Sequence, residues 1–255
     1  MLIDTHCHIH WTDYGLDVKE VIKHAHDNGV TKMICVGTDE DTSKLAIEFA
    51  KKHQGVYSAV GIHPHYASSG LGKLEDLIKQ NLTSIVAIGE IGLDYYRNQS
   101  PKVDQIKLLR QQIKLALKYN LPIIFHVREA FDDFWPIFDE FISAGRHIRG
   151  VLHSFTDSAE NLQKGLDRGL YIGINGYSTF TKDETQKAMF SSVPVSKIVF
   201  ETDAPFLTPA PFRGKMVNEP AYVRNVAEYH GEIHNLGLDE ISAITTENAR
   251  ELFNL

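Results

Sequence analysis

The amino terminus carries Asp-Thr-His-Cys-His-Ile-His at residues 4–10, with three histidines at every second position. Imidazoles two residues apart on an extended chain project to the same side and can share one metal ion. For the 13 histidines in these 255 residues, random placement gives roughly 0.7 His-x-His pairs. There are four: His6/His8, His8/His10, His24/His26 and His63/His65. The spacing is enriched, yet spacing alone assigns no ligand. What decides is which elements carry the histidines and what those elements bring beside them.

Eight short apolar runs rich in β-branched residues recur along the chain, at 2–6, 32–37, 56–62, 84–90, 121–127, 148–154, 170–175 and 197–202. They lack strict apolar–polar alternation, as expected of strands covered on both faces. Helical stretches lie between them. Residues 101–120 place Val103, Ile106, Ile113 and Leu117 on one stripe, with Pro101 suited to a first turn and Asn120 to a left-handed end. Residues 17–29 close on Gly29, and 245–253 open on Thr245 with acidic residues following. This pattern predicts an α/β fold, a closed (β/α)8 TIM barrel forming one domain over 1–255. An open doubly wound sheet is the alternative with the same alternation.

In such barrels chemistry sits at the C-terminal ends of the strands. His6 and His8 end the first run, His63 the third, Glu90 the fourth, His126 the fifth, His153 the sixth, and Glu201 and Asp203 the eighth. A lone apolar-flanked histidine is commonly a buried structural residue, but six strand ends at once point to a metal site. The candidate ligands are His6, His8, Glu90, His126, His153 and Asp203. They divide into His6, His8 and Asp203 on one side and His126 and His153 on the other, with Glu90 able to bridge. Imidazoles and carboxylates without thiolates suit zinc or manganese, and magnesium where carboxylates dominate. By parity Cys7 faces the helices, Asp4 lies deeper as support, and Glu201 is placed to orient a metal-bound histidine. His10 and His65 read as loop residues, and His24, His26, His53 and His147 lie away from this face. His230 and His234 read as surface histidines on a late outer helix.

The composition is that of an ordinary globular protein, 43% hydrophobic and 23% charged. No apolar run approaches the length of a membrane span, and no secretory signal is visible, so a cytoplasmic protein is expected. Two cysteines make no disulfide framework. A net charge of −7 argues against coating nucleic acid or anionic membrane broadly. A small site whose positive charge comes from bound metal remains compatible.

The segments "DTHCH", "GIHPH", "GEIGLDYY", "FHVR", "HSF", "ETDAP" and "PFRG" occur in this order. Together they resemble the TatD family of metal-dependent deoxyribonucleases, within the amidohydrolase-like barrels, over nearly the whole chain. The resemblance implies two divalent ions: one held by His6, His8 and Asp203, the other by His126 and His153, with Glu90 bridging. No lysine occurs in the fourth run, which separates the chain from phosphotriesterase-type relatives with a modified lysine there. The implied reaction is phosphodiester hydrolysis, with Asp203 and Glu90 as catalytic groups and Asp203 taking a proton from water. His63, Arg128 and Arg213 would bind phosphate. Tyr95 and Tyr96 at the same rim could stack a terminal base or pack their loop. The segment 213–220 is one residue longer than the family form, which leaves the roles of Arg213, Lys215 and Asn218 open. The expected substrate is single-stranded DNA degraded from the 3′ end, with no obligate protein partner. Hydrolysis of a small ester, amide or phosphoester is the alternative, and a non-catalytic metal-binding scaffold a remote one.

Overall fold

The computed structural model describes residues 1–255. Strands β1 (Leu2–Cys7), β2 (Val30–Val36), β3 (Val56–Val60), β4 (Ile85–Asp94), β5 (Ile123–Arg128), β6 (Gly150–Leu152), β7 (Tyr171–Ile174) and β8 (Ile198–Phe200) form one parallel sheet in sequential order. A doubly wound sheet would reverse its strand order at a switch point, so that alternative is excluded. The sheet nearly closes on itself as a barrel. β8 is only three residues long, and single contacts continue the seam to β1. Cys7 bridges Ala204, Asp203 N donates to His6 O at 2.8 Å, and His8 N donates to Ala204 O at 2.7 Å. Buried Asp4 accepts from Thr202 N at 2.9 Å and from Thr202 Oγ1 at 2.6 Å. Asp4 thus supports the site by fastening β1 to the residue between Glu201 and Asp203.

Helices α1 (Val18–Asp27), α2 (Glu40–Lys52), α3 (Leu74–Asn81), α4 (Lys102–Tyr119), α5 (Phe131–Ser143), α6 (Ala159–Asp167), α7 (Glu184–Ser192), α8 (Val223–Ile233) and α9 (Leu238–Phe253) accompany the strands. None is long and apolar enough to cross a membrane. Helix α4 ends at left-handed Asn120 as expected, but its buried face differs from the predicted stripe. Val103 is 71% exposed, and the core side carries Gln105, Leu108, Leu109, Gln112, Ile113 and Ala116. The glutamines are inside because strand ends beneath them need partners. Gln105 accepts from Asp94 N at 2.8 Å, and Gln112 accepts from Ile62 N at 2.7 Å and donates to Ile62 O at 2.9 Å. Helix α9 begins well before Thr245, whose hydroxyl donates to Ile241 O at 2.9 Å inside it. His230 is not a surface residue. Helix α8 buries it 2.9 Å from Ser178 Oγ, and burial pushes its pKa down to about 3.

The barrel interior has an apolar floor. Ile3, Ile34, Ala59, Ala87, Ile124, Val151, Tyr171 and Val199, one from each strand, cluster with Ala249, Leu252 and Phe253 of α9. On most strands the candidate groups follow at even spacing, as the pleat requires: Ile124 to His126, Val151 to His153, Val199 to Glu201 and Asp203. Two strands break that rule. Ile3 and His6 are three apart, as are Ala87 and Glu90. Both strands bulge there, β1 gaining a residue on β2 between Asp4 and Cys7 and β4 gaining one on β5 between Ile88 and Ile91. Each bulge returns a polar group to the face that holds the floor residue.

Candidate metal centre

Six strand ends deliver their polar groups to one cavity of about 780 Å³ at the C-terminal mouth, where His8, His63, Glu90, His126, His153 and Asp203 are all in its wall. His6 lies just beneath, fully buried, stacked on His153 with ring centres 3.6 Å apart. Three sets of donors converge: His6, His8 and Asp203; His6, Glu90 and His153; His63, Glu90 and His126.

In the first set His6 Nε2 and His8 Nε2 face each other at 3.2 Å, and Asp203 Oδ1 lies 3.7 and 3.5 Å from them. Ligands of a tetrahedral zinc at about 2.1 Å are separated by about 3.4 Å, so these donors fit a cation without rearrangement. His8 Nδ1 lies 2.8 Å from Val36 O. A carbonyl only accepts, so Nδ1 carries a proton and Nε2 is the nitrogen turned toward His6 and Asp203. His153 Nδ1 lies 2.8 Å from Glu201 Oε1 as an ion pair. Glu201, buried against Gly173, also accepts from Ser154 N at 2.7 Å. A Cβ at Gly173 would stand 2.6 Å from the Glu201 carboxylate, so a side chain there would push that carboxylate aside.

The β4–β5 side is different. His126 sits between two carboxylates, Nδ1 2.8 Å from Glu90 Oε1 and Nε2 2.9 Å from Asp94 Oδ2. Burial opposes its charge, but hydrogen bonds to Asp94 and Glu90 outweigh that and raise its pKa to about 9. Burial likewise opposes the charge on His153, which the Glu201 and Glu90 carboxylates lift to about 10. Glu90 is raised by burial, but His63, His153, His126 and His6 together hold it well below the usual carboxylate range. His63 caps the 3-10 turn Pro64–Ser69, and its Nδ1 accepts from His65 N at 3.1 Å. Burial keeps this ring neutral, so its proton is on Nε2, 3.5 Å from Glu90 Oε1. His63 therefore offers the mouth an N–H rather than a lone pair.

Asp94 escaped the sequence reading, which ended the fourth strand at Glu90. The strand runs to Asp94, four residues on, so its side chain returns to the same face. Buried Asp94 also accepts from Arg97 N at 2.8 Å and lies 3.1 Å from His65 Nε2, which gives His65 a role that its spacing did not disclose. His10 follows β1 in a turn as expected but is buried, with neither ring nitrogen partnered.

Arg128 and Arg213 both line the cavity, the first 3.8 Å over the Tyr96 ring and the second 4.1 Å over Phe180. Arg110, Arg168, Arg224 and Arg250 pair with carboxylates. The cavity arginines, Arg97 included, pair with none. Lys215 is exposed, whereas buried Asn218 donates to Thr202 O at 2.8 Å and to Phe206 O, bracing the turn after Asp203.

Residues 3–254 match the family described as TatD related DNase. The chain is 39% identical to a protein of Bacillus subtilis named as the uncharacterized metal-dependent hydrolase YabD, over all of both chains. It is 32% identical to a Salmonella typhimurium protein named 3′-5′ ssDNA/RNA exonuclease TatD, covering 96% of this chain and 95% of that one. A crystal structure of YjjV, a TatD homologue from Escherichia coli, superposes with a TM-score of 0.91 at 27% identity, covering 100% of this chain and 98% of that one. With the barrel, the polar mouth and these relatives together, the chain belongs to the TatD family and is a metal-dependent hydrolase.

Proposed function

We propose that the protein hydrolyses phosphodiesters in single-stranded DNA from the 3′ end, using two divalent ions, zinc, manganese or magnesium. The observation that carries this reading is the cavity itself, where a convergent imidazole–carboxylate set shares its walls with three arginines that no carboxylate neutralises. Unpaired guanidiniums suit a ligand that brings its own negative charge, such as a phosphate chain. The Salmonella relative is named for this activity on both DNA and RNA.

His6, His8 and Asp203 would hold one ion, His126 and His153 the other, and Glu90 would serve both. The ions would supply Lewis acidity and a water acidified near neutral pH. Asp203 would be the group that takes a proton from the attacking water. Burial raises this carboxyl, but His8, His153 and His6 pull it below its ordinary value, so it is ionised and ready. His63 donates its Nε2 proton to a phosphate oxygen. Arg128, after β5, and Arg213, after β8, grip phosphates on two sides of the mouth. Glu201 and Asp94 keep the rings of His153 and His126 aimed. Contacts to phosphate carry no base information, so cleavage is largely blind to sequence.

The test is a time course on end-labelled single- and double-stranded DNA and RNA with chelator-treated protein, with and without each ion. The reading expects loss of cleavage in chelator, recovery with one of the ions, and shortening of single-stranded DNA from its 3′ end. Undiminished cleavage in chelator, or hydrolysis of small esters and amides but no oligonucleotide, overturns it.

A further inference from the structure

The exposed aromatic rings at the mouth differ in what covers them. Tyr95 is engaged by two helices, its hydroxyl donating to Asp133 Oδ2 of α5 at 2.7 Å and Lys102 Nζ of α4 lying 3.9 Å over its ring. Tyr96 is exposed, yet the Arg128 guanidinium lies over it at 3.8 Å and that of Arg97 at 5.7 Å. These two tyrosines serve the arginines and their loop rather than a base.

Phe206 has no such cover. It is 50% exposed and lines the cavity. Its only ring neighbours meet it at steep angles, Trp11 at 6.0 Å and 70° and His8 at 6.4 Å and 66°. Trp11 in turn lies nearly flat on His8, with ring centres 4.3 Å apart and planes 24° apart. The backbone carrying Phe206 is pinned from both sides. Its N–H donates to Asp203 O at 2.8 Å, and its carbonyl accepts from buried Asn218, which also holds Thr202 O. A half-exposed phenyl contributes little to the fold, yet it is held on a braced turn beside Asp203.

We propose that Phe206, backed by Trp11, is a stacking subsite for the nucleobase adjoining the phosphate that is cut, and that it favours an unpaired strand end. This rests on the nucleolytic reading above. A free base presents an open π-face to the ring, and every base has one, so the subsite tolerates sequence. A base inside a duplex has both faces covered by its neighbours and must leave the stack first. The ring therefore favours a base free to leave its stack over one held within a duplex, without reading any base edge.

The experiment compares manganese-loaded wild type, Phe206→Ala and Phe206→Tyr on oligothymidylate and on the same strand with an abasic 3′-terminal nucleotide. A single base–aromatic stack predicts that Phe206→Ala raises KM for the intact strand roughly tenfold, with kcat changed less, and that Phe206→Tyr restores it. Wild type should lose a similar factor on the abasic strand, and the two losses should not add. In chelator, where nothing is cut, the intact strand should quench Trp11 fluorescence in a Trp135→Phe background and the abasic strand should not. Equal losses for Phe206→Ala on both strands, or no loss on the intact one, overturn the stacking subsite while leaving the nuclease reading standing. Failure of wild type to cut either strand overturns the nuclease reading, and the subsite falls with it.

Discussion

The two sides of the proposed centre are prepared for a cation in different ways. On the β1–β8 side, His8 is fixed by a backbone carbonyl at Nδ1, and its Nε2 and its neighbours already stand at ligand spacing. On the β4–β5 side, His126 is held as an imidazolium between Glu90 and Asp94. On one side the donors stand at the spacing of a cation's ligands, while on the other a cation would have to displace a proton from His126. Identical residue types thus have different second partners, a backbone carbonyl for His8 and two carboxylates for His126, and the carboxylates raise the pKa of His126.

Glu90→Gln tests whether the two sides are joined at all. It should cut turnover by about three orders of magnitude, the size of losing several kcal/mol of charge stabilisation, and lower bound metal at both sides. A near-normal rate, measured with metal content, would show that Glu90 joins nothing.

Asp94→Asn sharpens the contrast. It should weaken one metal equivalent about 10- to 100-fold and leave the other close to wild type. Titration calorimetry that found both equivalents equally affected would mean the sides are not distinct.

The proton account has its own signature. His126 and His153 have folded pKa values of about 9 and about 10, above the ordinary 6.5. Their contribution to the stability of chelated protein is full below pH 6.5 and is lost as pH rises through 9 and 10. Glu90 and Asp203 are depressed, so theirs is present above the ordinary carboxylate pKa and lost in acid. Melting temperature of chelated protein should therefore fall on the alkaline side, while metal affinity rises there as the imidazoles shed protons. An affinity independent of pH between 6.5 and 9 contradicts the picture.

The smallest effect is expected at Gly173. Gly173→Ala pushes on the Glu201 carboxylate and should lower metal affinity only several-fold, because His153 loses its orientation rather than its nitrogen. An unchanged affinity in the same calorimetry would mean that Glu201 does not need that space.

The barrel, its order of repeats and the convergence of polar groups from separate strand ends were legible because periodic apolar runs announce elements and the fold dictates which end is functional. Asp94 was not, since a strand buried on both faces gives no alternation to mark where it stops. The buried face of α4, which includes Gln105 and Gln112, and the burial of His230 also departed from expectation. Polar residues are expected outside unless partners can be seen, and their partners are strand-end amides and Ser178, distant in sequence. The bulges in β1 and β4 were invisible for the same reason as Asp94, and they overturn the simple parity that linked Asp4 to His6.

Those bulges separate two design problems that share one strand. Below the extra residue, side chains answer to a close-packed apolar layer; above it, they answer to the placement of donor atoms. An inserted residue lets each half be tuned without rotating the other, like a coupling between two shafts. Were β1 to pair regularly, with every residue kept and no bulge, the layer around Ile3 would stay in place and Cys7 and Ile9 would face the mouth instead of His6 and His8. The barrel would keep its interior and lose its chemistry.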